Sequence, residues 1–515
     1  MINITTYNNP IILGYHPDPS IVRVGEDDYY IITSSFEYFP AVPIFHSNDL
    51  VNWKQIGHVL TRESQVNLAN RESSRGIFAS TIRYHDGVFY MITTDVMGIG
   101  NFYVTATKPE GPWSDPIKIP YGNIDPSLMF DDDGTVYVTA QNGEAENSHI
   151  IQYEIDITTG KALTEPVVVF QGDGGSWTEG PHLYKIRGMY FILTASGGTG
   201  IEHRSIIARS HHPYGPYELY ENSILTHNQM PDHPIQNLGH ADFVEDKVGN
   251  FWAVFLGVRP TDGKYSVLGR ETFLAPVSWT EDGWPTIDNN DGTLELTMKT
   301  DRLPVGTEQK QISSFRDDFN SPNLEDSWTF LRTNIGNKYS LTEAKERLKL
   351  LGNSLTLSDV GPSVFINKSQ QHVQMEISTS MEFIPDSNGE EAGLAARYNE
   401  EAHYVIGVRQ IGGEKYVVAH TTIKGENKEL GKVLLDSDFV QLAIRSDKEK
   451  YFFLYTNANM EWMSLGEAPA SSVSPEINGG FTGVCLGLYA TGNGKDSRTP
   501  AYFDWVNYEE IVDKD

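Results

Sequence analysis

A single cysteine, Cys485, occurs in the 515 residues. An internal disulfide and a zinc site built on several thiolates are therefore both excluded. Apolar runs are short, and none approaches the ~18 residues that a membrane-spanning helix needs. No basic stretch followed by an apolar one is visible in Met1–Pro10, so no secretory signal is read there and an intracellular protein is expected. Positive charge is scarce as well: 39 Lys and Arg face 69 Asp and Glu, a net charge of −30. Such a surface repels phosphate backbones and anionic lipid, which argues against nucleic acid and membranes as partners and favours a neutral ligand. Amphipathic helical patterns are few; the stretch Leu341–Leu351 can be read as a helix, although its neighbours are strand-like.

What the chain has in quantity is turn residues and aromatics: 46 Gly, 26 Pro, 26 Tyr and 23 Phe. Short alternating runs such as Phe89–Thr94 and Thr135–Thr139 sit between them, the texture of an all-β protein. These runs form an internal repeat. Segments that start at Asp18, Phe78, Asp125, Glu179 and His240 each carry a turn residue nine positions on: Asp27, Gly87, Gly134, Gly188 and Gly249. Each carries an aromatic twelve positions on: Tyr30, Tyr90, Tyr137, Phe191 and Trp252. The starts are 60, 47, 54 and 61 residues apart, room for four short strands each, so the repeat predicts a five-bladed β-propeller. From about Ser313 the texture changes to alternating strands that close at Tyr502–Tyr508, suiting a two-sheet β-sandwich. The reading divides the chain into a propeller over 1–300 and a sandwich over 313–515, with residues 288–311 as the connection.

In a propeller the innermost strands line one central channel. The repeat starts are therefore expected to ring one end of that channel, bringing three carboxylates, an imidazole and an aromatic together. Like charges at short range cannot all stay ionised, and such a cluster is costly to keep for stability alone. With a neutral ligand it suggests glycoside hydrolysis, in which one carboxylic acid protonates the leaving oxygen and a carboxylate serves on the other face of the sugar. A carboxylate beside the acid would raise its pKa by repulsion. Other strings are read as structure. Gly197–Gly200 is not followed by a helix, Asp131–Gly134 and Asp288–Gly292 are hairpin turns, and His211–His212 is a solvated turn. His233 lies in the loop before His240 and is read as either a loop residue or a visitor to the channel mouth.

Several runs carry a resemblance. Asn9–Ser20, Tyr29–Pro40, Ile44–Trp53, Ile124–Ser127, Thr178–Tyr184, Gly239–Asp242 and Leu268–Phe273 resemble, in order, the motifs of family 43 glycoside hydrolases. The remainder is similar to the β-sandwich, concanavalin A-like or jelly-roll, that follows the propeller in the β-xylosidase branch. The resemblance implies an inverting enzyme in which Asp18 is the general base, Glu179 the general acid and Asp125 the residue that tunes and orients the acid. It places Phe36 in the pocket for the terminal sugar and Arg270 near the substrate. It places His240 at the channel centre, where some members hold a calcium ion or a water, so a water-mediated calcium contact through His240 is a candidate. No cofactor is implied for the chemistry itself. Where relatives read Ile-Trp-Ala-Pro, this chain reads Ile77-Phe78-Ala79-Ser80, so Phe78 offers a smaller face to the sugar.

The expected activity is exo-release of single pentoses from xylo-oligosaccharides or arabinosylated oligosaccharides, as a β-xylosidase with α-L-arabinofuranosidase as second or main activity. A non-catalytic carbohydrate-binding propeller is the alternative from another class. A homo-oligomer is expected, and Gly492–Pro500 in the sandwich is the candidate lid over the channel.

Overall fold

In a computed structural model that describes residues 4–512, the chain is almost entirely antiparallel β-structure. Five four-stranded blades follow one another. Blade one runs Ser20–Val24, Asp28–Ile32, Ala41–Ser47 and Lys54–Leu60. Blade two runs Thr81–His85, Val88–Val96, Gly100–Ala106 and Ile117–Lys118, with the short Gly76–Ile77 added on the second strand. Blade three runs Ile124–Phe130, Val136–Asn142, His149–Glu154 and Val167–Phe170. Blade four runs Glu179–Ile186, Met189–Ser196, Arg204–Ser210 and Glu218–Leu219. Blade five runs Gln236–Glu245, Phe251–Val258, Glu271–Trp279 and Pro285–Ile287. The turn residues of the repeat all fall between the first and second strands of a blade, and its aromatics all fall on the second strand.

In two of the five blades the repeat is one residue out of phase with the strand pairing. Tyr30, Tyr90, Tyr137, Phe191 and Trp252 lie opposite Val22, Arg83, Met129, Tyr184 and Val244. Counted back from those partners, the equivalent channel-end positions are Asp18, Ala79, Asp125, Gly180 and His240. Phe78 and Glu179 sit one residue earlier. The reason is turn length: in blades two and four the strands join through the two-residue turns Asp86–Gly87 and Arg187–Gly188, and the other hairpins are longer. A fixed twelve-residue spacing therefore overcounts by one in those two blades.

The sandwich consists of two eight-stranded sheets. Its core, which includes Leu394, Ile406, Leu442, Phe453 and Phe503, is continuous with propeller residues Val42, Leu60 and Ile77. The continuity extends to the backbone. Tyr38–Phe39 from blade one's connecting loop pairs with Thr329–Leu331 and forms the last strand of a sandwich sheet. In the connection, Thr297–Thr300 turns back to pair with Thr5–Asn8. The helix read over Leu341–Leu351 is absent. Tyr339–Ser340 and Leu348–Leu350 are paired strands, in which Leu348 and Leu350 are buried on either side of the partly exposed Lys349. That two-residue alternation, rather than leucine spacing on a helix, is what the segment obeys.

Candidate active site

The inner strands reach the channel end through kinks. Asp18, Asp125 and His240 all hold left-handed backbone, with φ of 53°, 54° and 55°. Residues with a Cβ rarely adopt that conformation, and such strain gathers at functional sites. Register shifts accompany it between Ile124 and Ser127, between Glu179 and His182, and between Gly239 and Asp242. A bulge of this kind re-aims a side chain, here from the blade into the channel. In blade four the left-handed residue is Gly180, at φ 59°. A Cβ there would stand 2.8 Å from the His240 ring, so only glycine lets Glu179 and His240 share this end of the channel.

Charge separates the three carboxyls. Burial pushes Asp18 up, but Arg270, His240 and Ser34 outweigh it and hold the group below the ordinary aspartate value. Arg270 Nη1 lies 3.0 Å from Asp18 Oδ1, the Ser34 hydroxyl donates to Oδ2 at 2.6 Å, and His240 Nδ1 lies 3.6 Å from Oδ1. Asp125 moves the other way, to about 6, through burial and the Asp18 charge against the opposing pull of His240. Its Oδ2 accepts the Gly180 N–H at 3.0 Å. Glu179 is raised well above the usual glutamate value by burial and by the charges of Asp125 and Asp18. The three acids thus belong to one electrostatic site. Its carboxyls are displaced in opposite directions, Asp18 towards the ionised form and Glu179 towards the protonated one.

Beside Asp18 stands an aromatic wall. Phe36 is 5.2 Å from Phe78 and 5.8 Å from Phe481, ring to ring, and Phe78 is 5.8 Å from Phe481. Phe36 itself is buried to 1 % exposure, so it backs the wall, and the partly open faces belong to Phe78 and Phe481. Arg270 lies across Phe36 and Phe481 and donates Nη2 to the Phe481 carbonyl at 3.3 Å. Phe481 comes from the sandwich, and sequence reading missed it. The signal was the glycine-rich run Gly479-Gly480-Phe481-Thr482-Gly483, an aromatic on a loop free to approach closely.

One sequence-based placement is corrected, and an open one is narrowed. The loop Gly492–Pro500 is tied to Gly352, Ser354 and Glu390 within the sandwich, so the sandwich reaches the site through Phe481 instead. Of the two readings of His233, the loop one holds: its ring lies 4.0 Å from that of His227, tilted by 55°, and its Nε2 faces Glu295 at 3.7 Å in the connection. As to calcium, among the described residues no group of three or more His, Cys, Asp or Glu converges to hold a cation. Further along the axis a cation is already built in. Arg83 donates to both oxygens of Asp242 at 2.9 and 3.0 Å and contacts His182 Nδ1 at 3.1 Å. The donor set therefore does not fit a directly ligated metal.

A propeller channel that ends in a depressed and an elevated carboxyl, flanked by aromatic faces, is the working end of a glycoside hydrolase. Residues 7–285 match the family model for glycosyl hydrolases family 43, and residues 316–509 match the β-xylosidase C-terminal concanavalin A-like domain. The chain belongs to family 43. It is 42 % identical to a non-reducing end α-L-arabinofuranosidase of Bacteroides ovatus, over 98 % of this chain and 94 % of that one. It is 37 % identical to a xylosidase/arabinosidase of Butyrivibrio fibrisolvens, over 98 % and 99 %. The crystal structure of a xylan β-1,4-xylosidase from Bacillus halodurans superposes with a TM-score of 0.91 at 35 % identity, covering 98 % of this chain and all of that one.

Proposed function

We propose that the chain is an exo-acting, inverting glycosidase that releases terminal pentoses from short xylo- or arabino-oligosaccharides. β-1,4-Xylosidase is the leading activity, with α-L-arabinofuranosidase as second or main activity. The observation that carries this reading is the opposite displacement of two acids in one site. Asp18, ionised and gripped by Arg270 and Ser34, takes a proton from the attacking water. Glu179, biased towards its protonated form by burial and by the charges of Asp125 and Asp18, delivers its proton to the leaving oxygen. Asp125 holds the acid protonated by its charge and fixes the Gly180 backbone beside it. Phe78 and Phe481 offer the apolar faces of a sugar ring their counterpart, and Arg270 both steadies the base and neutralises the charge beside it. In this assignment no residue forms a covalent bond to the sugar, so the released anomer is inverted.

The two-carboxyl chemistry requires no cofactor. Calcium at His240 would have to be held through water, and unchanged turnover after exhaustive chelation would remove it from the scheme. Assembly as a homo-oligomer and an intracellular location complete the proposal, tested by light scattering and by cell fractionation. The main test is direct: the enzyme should hydrolyse both aryl β-xyloside and aryl α-L-arabinofuranoside, and NMR should show the inverted sugar first. Early appearance of the retained anomer, or xylobiose that is bound but left uncut over hours, would sink the reading. Rates on xylobiose and an arabinosylated oligosaccharide, measured side by side, settle which pentose is preferred.

A further inference from the structure

Phe481 is held by a chain of contacts that crosses between the two domains several times. Its N–H donates to the Ser74 hydroxyl at 2.9 Å. Ser74 lies on the propeller loop between blades one and two, and its own N–H donates to Glu37 Oε2 at 3.0 Å. Glu37 directly follows Phe36 in the chain and is fully buried. It faces Arg397 of the sandwich at 3.4 Å, and that guanidinium, also fully buried, reaches Tyr38, Ser73 and Glu400 as well. On the other side, the Phe481 carbonyl accepts from Arg270, which grips Asp18. The approach is close. A Cβ on Gly480 would meet the Ser74 hydroxyl at 2.6 Å, and the Tyr398 hydroxyl donates to the Gly479 carbonyl. Ser74 itself holds left-handed backbone at φ 62°.

A strained residue held beneath a site, its N–H and its hydroxyl oxygen both engaged, marks a position that the surroundings over-determine. We infer that Ser74 is a positioning residue for the pentose pocket: with Glu37 and Arg397 behind it, it fixes Phe481 against Phe36 and so sets the fit of the terminal sugar. Ser74 has no part in the proton transfers. The sandwich thus acts as the outer wall of the pocket, set in place by buried charge. The inference rests on the pentosidase reading and specifies how its sugar pocket is shaped.

The test uses two substitutions that share the loss of the hydroxyl and differ in backbone strain. Ser74→Gly relieves the left-handed residue, and Ser74→Ala retains the strain. Their melting temperatures should therefore differ. Both should raise the inhibition constant of the free pentose, and KM on the aryl pentoside, by the same factor of roughly five, as expected for one lost hydrogen bond. In a Phe481→Ala background, where the ring is gone, adding either substitution should change the constant by less than about two-fold. Inhibition constants that follow the melting temperatures would overturn the inference. So would an equal effect with and without Phe481, or no effect in a wild-type enzyme that does turn over pentosides. A wild-type protein that neither binds nor hydrolyses pentosides would overturn the functional reading itself.

Discussion

Two rings of polar side chains follow one another along the propeller axis and handle buried charge in opposite ways. At the channel end, Asp18, Asp125 and Glu179 share one guanidinium, Arg270, and His240 acts on Asp18 and Asp125. Further along the same inner strands, Asp242 has Arg83 to itself and also accepts from the Ser20 hydroxyl at 2.6 Å, the Ile21 N–H at 3.0 Å and the Tyr184 hydroxyl. There the pairing outweighs burial, and Asp242 is held far below the ordinary aspartate value. His182 beside it is pushed down to about 3 by burial and stays neutral. The inner ring ties blades one, two, four and five with matched charge. The outer ring leaves its carboxyls in excess, and two of them are driven towards the protonated state. What separates a structural ring from a reactive one here is the ratio of anions to cations.

The largest effects should come from breaking the outer ring. Asp18→Ala and Glu179→Ala should each lower turnover of xylobiose by roughly 10²–10⁴-fold, the range for a lost acid or base. Glu179→Ala should lose far less on a dinitrophenyl pentoside, whose leaving group needs no proton, and Asp18→Ala should lose as much on either. Equal losses for both variants on both substrates would remove the division of roles, and a smaller loss for Asp18→Ala on the dinitrophenyl pentoside would reverse it.

Breaking the inner ring should act on stability instead. Arg83→Met leaves Asp242 buried without a cation, at a cost of about 3–5 kcal/mol. Urea unfolding should show that loss, and the folded fraction should keep its KM. A variant as stable as wild type would mean that the pair contributes little.

Asp125→Asn sharpens the contrast from the other side, because it makes the outer ring less anionic. An aspartate raised from 3.8 to about 6 disfavours folding increasingly as pH climbs between those values, and the penalty is absent below them. The variant should therefore gain stability over wild type as pH rises from 4 to 6, by up to about 3 kcal/mol. The same substitution removes a charge that raises Glu179, so the basic limb of the pH–activity profile should move to lower pH. The acid limb, governed by the depressed Asp18, should stay on the acid side. As the groups interact, the limbs describe the site and not single residues. A basic limb that does not move would take Asp125 out of its role.

The smallest change is expected at the wall. Phe78→Trp puts a larger ring with an indole N–H on the wall and should alter the ratio of xyloside to arabinofuranoside rates by no more than about ten-fold. Both pH limbs should remain in place, since the ring touches neither proton transfer.

Much of this was legible in the chain. Turn residues and aromatics at constant offsets announce the blades because each blade repeats one hairpin, and Asp18, Asp125 and His240 fall in register without adjustment. Glu179 and Phe78 were found at the right end of the channel by a count that was one residue out, since two hairpins are shorter and spacing alone does not reveal turn length. The stretch Leu341–Leu351 shows the opposite failure, as Leu341 and Leu348, seven apart, suit a helix face while Leu348 and Leu350, two apart, suit one face of a strand, until the sheet decides. Phe481 and Ser74 had no signal of comparable strength. Their meaning comes from a contact between positions 407 residues apart, made through a single hydroxyl.

The chain by itself determined the β-class, the five-fold repeat and which acids meet on the axis, because those follow from local periodicity and from the closure of equal units around a centre. The protonation state of each acid was decided only in the folded molecule, where burial and the distance to Arg270 set the balance. So was the outer wall of the sugar pocket. It is made by a sandwich loop whose approach depends on packed domains and a buried ion network, and neither packing nor desolvation can be read from residue order.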